Sequence, residues 1–175
     1  MRIAISGKSG CGNTTVTRMV SEALGVKMVN YTFRNLAQEK NIPFDELCEK
    51  ADTDPSYDRF LDKKQVELAM DGDSILGSRL AIWMLKQADL KVYLTASPTE
   101  RARRIQQREG GSIEDVLAKT RERDHRDRNR YLKLYNIDND DTSQADLVIN
   151  TEKYTPTEIR AMIVEAAQKR TAETG

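Results

Sequence analysis

The chain has 175 residues, of which 28 are Lys or Arg and 28 are Asp or Glu, so its formal net charge is zero. This length predicts one domain with its own core, and the balanced charge argues against a protein that binds nucleic acid over its whole surface. Because no apolar run approaches the roughly 20 residues that a bilayer requires and the start MRIAIS does not resemble a signal peptide, we expect a cytoplasmic protein without a membrane partner. We also expect a monomer.

Short segments rich in β-branched residues predict buried strands at 2–6, 27–30, 74–77, 91–95 and 146–150. After the first strand, an apolar stripe from Val16 to Leu24 that ends at Gly25 predicts a crossover helix. The same spacing after Thr155 and Pro156 predicts a closing helix. Strands that alternate with helices predict a three-layer α/β domain around a five-stranded parallel sheet.

Two long stretches, 31–73 and 111–145, contain no predicted strand and are heavily charged. We interpret them as insertions over the sheet. No repeat and no Pro-, Gly- or Ser-rich linker divides the chain, which favours a single domain over residues 1–175.

A glycine-rich loop, GKSGCGNTT, stands between the first predicted strand and its helix, which is the context of a GxxxxGK[ST] phosphate loop. In such a loop, backbone amide groups and the helix N-terminus bind phosphate oxygens. The hydroxyl of Thr14 is the predicted ligand of Mg²⁺. The predicted nucleotide-binding residues are Gly7, Lys8, Ser9, Gly10, Cys11, Gly12, Asn13, Thr14 and Thr15.

The loop departs from the pattern at Asn13, where a lysine normally neutralises charge between the β and γ phosphates. Asparagine can donate hydrogen bonds but carries no charge. Lys8, at the second position of the loop, could reach back over the phosphates, as in ATPases whose loop begins with GK. The alternative interpretation of Lys8 is a solvated surface residue.

Residues 121–130 contain five arginines interleaved with three acids. On a helix, Arg123, Asp127 and Arg130 fall on one face, so we predict that the carboxylate holds both guanidinium groups in place for an anion. A solvated helix with internal ion pairs is the alternative. The interleaved acids argue against nucleic-acid binding, because they cancel the gain from counterion release.

More arginines follow the predicted strands. Arg34 and Arg79 follow the second and third strands, at the sheet edge where the phosphate loop lies and where open parallel sheets bind ligands. Arg101, Arg104 and Arg108 follow the fourth strand on a predicted helix. They either extend a positive rim around the cleft or face solvent.

The chain resembles the nucleoside monophosphate kinases, and most closely the short cytidylate kinases of the type common in archaea. The similarity covers nearly the whole chain, and the run RDHRDRNR also resembles the lid signature of bacterial cytidylate kinases. The other segments that carry it are, in order, GKSGCGNTT, FR (33–34), SRLAIWML, ADLKVYL, ERARRIQQREG, RYLKLYNID and DLVINT.

This resemblance implies a P-loop NTPase fold with a helical acceptor-binding insertion at 31–73 and a helical lid at 111–135. Within the insertion, a helix face carries three polar residues that would meet the acceptor's sugar or base, unless they face solvent: Asp58, Asp62 and Gln65. The loop around Asn150, Thr151 and Lys153 would lie beside the donor adenine.

The resemblance further implies transfer of the γ-phosphoryl of ATP to CMP, or to dCMP, with Mg²⁺. Arg34 and Arg79 would bind the acceptor's phosphate, while Arg123, Asp127 and Arg130 would approach both the acceptor and the transferred group. Lys8, Arg123 and Arg130 are then the predicted catalytic residues. Two alternatives stay open: an ATPase switch that uses Lys8 in a dimer, and a noncatalytic nucleotide sensor.

Overall fold

The computed structural model describes residues 1–174, and Gly175, the last residue of the predicted domain, lies outside the described residues. The described chain contains a sheet in the order β2-β3-β1-β4-β5, in which all neighbouring strands are parallel. The predicted five-stranded parallel sheet is therefore confirmed. Its strands are β1 (Arg2–Gly7), β2 (Lys27–Val29), β3 (Ser74–Gly77), β4 (Leu90–Thr95) and β5 (Leu147–Asn150).

Helices cover both faces of the sheet and make the three predicted layers. Along β1, Ile3 and Ile5 belong to one apolar core and Ala4 to the other, as the alternation of side chains in a strand requires. The helices are α1 (Asn13–Leu24), α2 (Phe33–Lys40), α3 (Phe44–Thr53), α4 (Ser56–Met70), α5 (Ala81–Met84), α6 (Pro98–Glu109), α7 (Ile113–Tyr135) and α8 (Pro156–Thr174).

Local chemistry explains where the predicted crossover helix ends and where the predicted closing helix begins. Helix α1 ends at Gly25, whose φ of 64° lies in the left-handed region that glycine adopts without strain. Helix α8 begins at Pro156, and the Thr155 hydroxyl accepts a hydrogen bond from the backbone N–H of Glu158 at 3.2 Å. The backbone N–H of Thr155 in turn donates to the Glu158 carboxylate at 2.7 Å, which completes a capping box.

The two strandless stretches differ in how they fold. Residues 31–73 hold α2, α3 and α4 around a small apolar core that includes Leu36 and Leu47. Residues 111–145 hold α7, a helix of 23 residues that packs along α6 and reaches the α4 region at Tyr135. None of the helices among residues 1–174 is long and apolar enough to cross a membrane.

Candidate functional site

A cavity of about 410 Å³ opens at the carboxyl-terminal edge of the sheet, in the size range of small-ligand sites. The loop after β1, the ends of β2 and β3, and side chains from α4 and α7 form its walls. The predicted site residues in its lining are Gly7, Lys8, Ser9, Gly10, Gly12, Asn13, Thr14, Thr15, Arg79 and Arg130.

The shape of the phosphate loop depends on two glycines with positive φ. Gly10 has a φ of 84°, and a Cβ atom there would lie 2.8 Å from the backbone oxygen of Arg101. Gly12, with a φ of 86°, is the N-cap of α1 and has no side chain to occupy the first amide groups of that helix. The residues of this first turn, Asn13, Thr14 and Thr15, line the cavity, and the amide groups at a helix N-terminus suit phosphate oxygens.

The Cys11 side chain points away from the cavity. It is buried in the core beneath the loop, and burial raises the pKa of its thiol. Cys11 can therefore contact a nucleotide only through its backbone.

Asn13 ties α1 to the end of β3. Its side-chain nitrogen donates to the backbone oxygen of Ser78 at 3.3 Å, and its side-chain oxygen accepts from the Thr17 hydroxyl at 3.2 Å. Gly77 permits this arrangement, because a Cβ atom at that position would lie 2.4 Å from the Thr17 hydroxyl oxygen. The residue that replaces the usual lysine is thus engaged in holding two elements together.

Lys8 supplies the cation of the loop. Its side chain is only 22% exposed, and its ammonium group pairs with the carboxylate of Asp140, in the segment that follows α7. Lys8 is therefore not the solvated residue of the alternative interpretation.

Asp127 is buried and holds two arginines that line the cavity. Its carboxylate lies 2.8 Å from Nη1 of Arg79 and 3.4 Å from Nη2 of Arg130. We predicted Arg123 in place of Arg79 as one partner of Asp127, and this pairing is wrong. Arg79, from the end of β3, reaches Asp127 across the cavity, whereas Arg123 lies one turn earlier on α7 and donates to the Ser9 hydroxyl at 3.2 Å.

Arg34 lies outside the lining of the cavity. It is exposed on α2, and its guanidinium carbon is 4.2 Å from the centre of the Phe44 ring. Its role with the acceptor stays a prediction. Asn150, Thr151 and Lys153 likewise lie at the end of β5 and do not line the cavity, so their place beside the donor adenine also stays a prediction.

Two arginines of α6 support the phosphate loop from below. Arg101 is fully buried, donates to the backbone oxygen of Ser9 at 3.1 Å, and pairs with Asp124 of α7. Arg104 donates to the backbone oxygen of Gly10 at 3.3 Å and to that of Thr151 at 2.9 Å.

Arg101 and Arg104 therefore neither extend a positive rim around the cleft nor face solvent, the two alternatives that the sequence left open. The third arginine of the group, Arg108, lines the cavity. The sequence pattern missed this support because inward arginines on a polar helix give no local signal.

The three predicted polar residues of α4 line the cavity, and so do not simply face solvent. Gln65 donates to the backbone oxygen of Tyr31 at 2.7 Å, and the Tyr135 hydroxyl donates to Asp62 at 2.6 Å. Asp58 is buried, and its Oδ2 lies 3.7 Å from Nε of Arg130, which is too long for a hydrogen bond. Among the described residues, neither of these two buried atoms has a hydrogen-bond partner, so both are available to a ligand.

Burial raises the pKa of both carboxyl groups. The pKa of Asp62 rises to about 6, because burial outweighs the hydrogen bond from Tyr135. The pKa of Asp58 also rises, by burial against the opposing charge of Arg130. The part of the cavity wall that α4 forms therefore gains negative charge as the pH passes through about 6.

The raised pKa of Asp62 predicts a pH-dependent stability. In the unfolded chain this carboxyl loses its proton at lower pH than in the folded protein, so ionisation weakens the fold as pH rises. From about pH 4 to pH 7, the free energy of unfolding of the wild type should fall by roughly 2 to 3 kcal/mol relative to Asp62→Asn, which keeps an acceptor for Tyr135.

Urea unfolding across this pH range measures the difference, with Glu67→Gln on the exposed face of α4 as the control. Equal pH slopes in the wild type and Asp62→Asn would contradict the raised pKa.

A glycine loop between a strand and a helix, facing paired arginines across one cavity, defines this protein as a P-loop phosphotransferase. Solved structures share the fold. Shikimate kinase from Acinetobacter baumannii in complex with shikimate matches with a TM-score of 0.66 and 18% identity, over 96% of this chain and 93% of that chain. Deoxyadenosine kinase from M. mycoides matches with a TM-score of 0.60 and 16% identity, over 97% and 100%.

Sequence relatives give the family. A model of the cytidylate kinase-like family matches residues 2–70 and 62–153. Cytidylate kinase 2 of Borreliella afzelii is 48% identical over 97% of this chain and 98% of its own length. Cytidylate kinase of Pyrococcus horikoshii is 42% identical over 94% of this chain and 86% of its own. The chain belongs to the cytidylate kinase-like family, which confirms the predicted resemblance.

Proposed function

We propose that the protein is a nucleoside monophosphate kinase that transfers the γ-phosphoryl of ATP to CMP, and also to dCMP, giving ADP and the cytidine diphosphate. One observation carries the proposal. Asp127 holds Arg79 and Arg130 in the cavity that the phosphate loop also lines, so one cavity offers two separate anion sites. The names of both relatives, cytidylate kinase 2 and cytidylate kinase, support CMP as the acceptor.

The proposed reaction is an in-line displacement. An oxygen of the acceptor's phosphate forms a bond to the γ-phosphorus of ATP, while the bond from that phosphorus to the β–γ bridging oxygen breaks and leaves its electron pair on ADP. The acceptor's phosphate is already a nucleophile at neutral pH, so no general base is needed. His125, exposed on α7, has no part in it.

The residues divide between the two nucleotides. The loop amide groups and Lys8 bind the phosphates of ATP, and Arg79, together with Arg34, binds the phosphate of the acceptor. Arg123 and Arg130 on α7 stabilise the transferred phosphoryl, whose charge spreads over its oxygens in the transition state. Asp58 and Asp62 meet the sugar or base of the acceptor, because they line the cavity beside Arg130.

Mg²⁺ fits this site as a metal that arrives with the nucleotide. The Thr14 hydroxyl lines the cavity, and the side chains described, those of residues 1–172, include no cluster of three His, Cys, Asp or Glu placed to hold a metal by themselves. Mg²⁺ is commonly held by few protein oxygens, phosphate oxygens and retained waters. Thr14 would hold it, and the metal would neutralise charge on the phosphates.

The proposed lid, residues 111–135, consists mainly of helix α7, and the insertion at 31–73 forms the proposed acceptor-binding region. Through Arg123 at the Ser9 hydroxyl and Arg130 beside Asp58, α7 touches both the phosphate loop and the insertion. Movement of this helix would therefore open and close both nucleotide sites together, and closure would exclude water that hydrolyses ATP.

The proposal is tested with ATP, Mg²⁺ and a panel of acceptors: CMP, dCMP, UMP, AMP, and no acceptor. We expect ADP to form with CMP and dCMP far faster than with the others, measured by a coupled assay. ADP formed equally without an acceptor, together with ATP-dependent dimerisation, would favour the ATPase switch. Binding of CMP and ATP without any ADP would favour the sensor.

A further inference from the structure

The position of Lys8 in the loop does not by itself fix the direction of its side chain. The usual lysine begins a helix, and the helix directs it at the phosphates. Lys8 precedes α1 by five positions, and its ammonium group sits on a flexible four-carbon stem with three rotatable donors. Such a cation needs a partner if it is to be held at one place in the cavity.

The acidic loop, which we define as residues 136–141, provides that partner. It follows α7 directly, and the carboxylate of Asp140 pairs with the Lys8 ammonium group. Among the described residues, Asp140 is the acidic residue with which the Lys8 ammonium group forms an ion pair.

The acidic loop is itself fixed from two sides. The Tyr93 hydroxyl, from β4, donates to the backbone oxygen of the buried Asn139 at 2.6 Å. Arg128 of α7 grips the Asp138 carboxylate with two hydrogen bonds of 2.9 and 2.7 Å, which lower the pKa of Asp138 to about 2. Nε of the same Arg128 lies 3.4 Å from Asp140. Asp140 is thereby anchored to the sheet and to the proposed lid helix.

We infer that Asp140 is a positioning residue, which holds the Lys8 ammonium group at the phosphate loop and, through Arg128, couples that cation to helix α7. This inference rests on the proposed function and on the role of Lys8 within it. The ammonium group has three donors, so it can keep Asp140 while it donates to phosphate oxygens. Lys8, held in this way, provides at the loop the positive charge that Asn13 lacks.

The test is a double-mutant cycle between Asp140 and Lys8. Asp140→Asn should lower kcat with ATP and CMP by roughly 10- to 100-fold, because a misplaced catalytic group loses that much rate, with KM for CMP nearly unchanged. Asp140→Glu should restore part of kcat. In a Lys8→Ala background, Asp140→Asn should change kcat less than about twofold, because the group it positions is gone.

Asp141→Asn is the matched control. It removes a carboxylate one position along, from a residue whose side chain accepts from the backbone N–H of Ser143 at 2.9 Å. It should leave kcat within about twofold of the wild type, and melting temperatures of all variants should agree within about 2 °C.

Three results would overturn the inference, and a fourth would refute the proposed function instead. An equal loss in both backgrounds would overturn the inference, because Asp140 would then act without Lys8. A rise in kcat for Asp140→Asn would also overturn it and make Asp140 an inhibitory clamp. A silent Lys8→Ala variant would remove the role of Lys8 and the inference with it. Wild-type protein that never phosphorylates CMP would instead refute the proposed function.

Discussion

Lys8→Ala is expected to lower kcat for phosphoryl transfer by roughly 10²- to 10³-fold, the usual loss when one preorganised group that stabilises developing charge is removed. Asn13→Ala is expected to lower it by less than about tenfold. The Asn13 amide bonds Ser78 and Thr17 and carries no charge, so its loss, about 1 kcal/mol for each neutral hydrogen bond, lowers the stability of the fold more than it raises the barrier to phosphoryl transfer. Lys8, by contrast, provides the positive charge that the loop presents to the cavity.

Steady-state kinetics with ATP and CMP measure both variants, and circular dichroism checks that they fold. Lys86→Ala serves as the control, because this exposed lysine lies outside the cavity. If Asn13→Ala proves more damaging than Lys8→Ala, Lys8 has no place in the mechanism.

Arg130→Ala is expected to lower kcat by a similar factor, roughly 10²- to 10³-fold, while KM for ATP changes little. Its guanidinium group lines the cavity between Asp127 and Asp58, where it would meet the transferred phosphoryl. Removing it also leaves two buried carboxylates, at positions 58 and 127, without that cation.

Arg126→Ala, on the exposed side of the same helix, is the matched control and should retain wild-type kcat. A change in unfolding free energy, followed in urea, separates lost stability from lost turnover. Normal kcat in a folded Arg130→Ala variant would show that the assignment of Arg130 to the reacting phosphoryl is wrong.

Local sequence patterns were sufficient to predict the strands, the loop between β1 and α1, and the edge of the sheet at which the candidate site lies. The strand predicted at 74–77 is β3 with the same bounds, because a short apolar segment bounded by turn residues is typical of a buried strand. Arg79 and the loop meet at one edge because parallel strands all end on the same side. These features depend on residues close together in the chain.

Local patterns did not predict which charged residues contact each other. Asp127 shares its helix with Arg123, and helical spacing alone favours that pair. The observed partner, Arg79, lies in the turn after β3, 48 positions before Asp127 in the chain. Arg101 and Arg104 turn inward because α6 is packed against both α7 and the loop. Nothing in a window of a few residues records such packing.

The amino-acid sequence by itself determined the sheet, the phosphate loop and the replacement of the loop's usual lysine by Asn13. The spacing of apolar residues and the conformational freedom of glycine are properties of neighbouring residues in the chain. Tertiary structure alone decided which charges meet: Asp127 with Arg79, Arg101 with Asp124, and Lys8 with Asp140. Ion pairs between distant segments depend on how helices cross and which ends approach, because Coulomb attraction acts over distance in space and not along the chain.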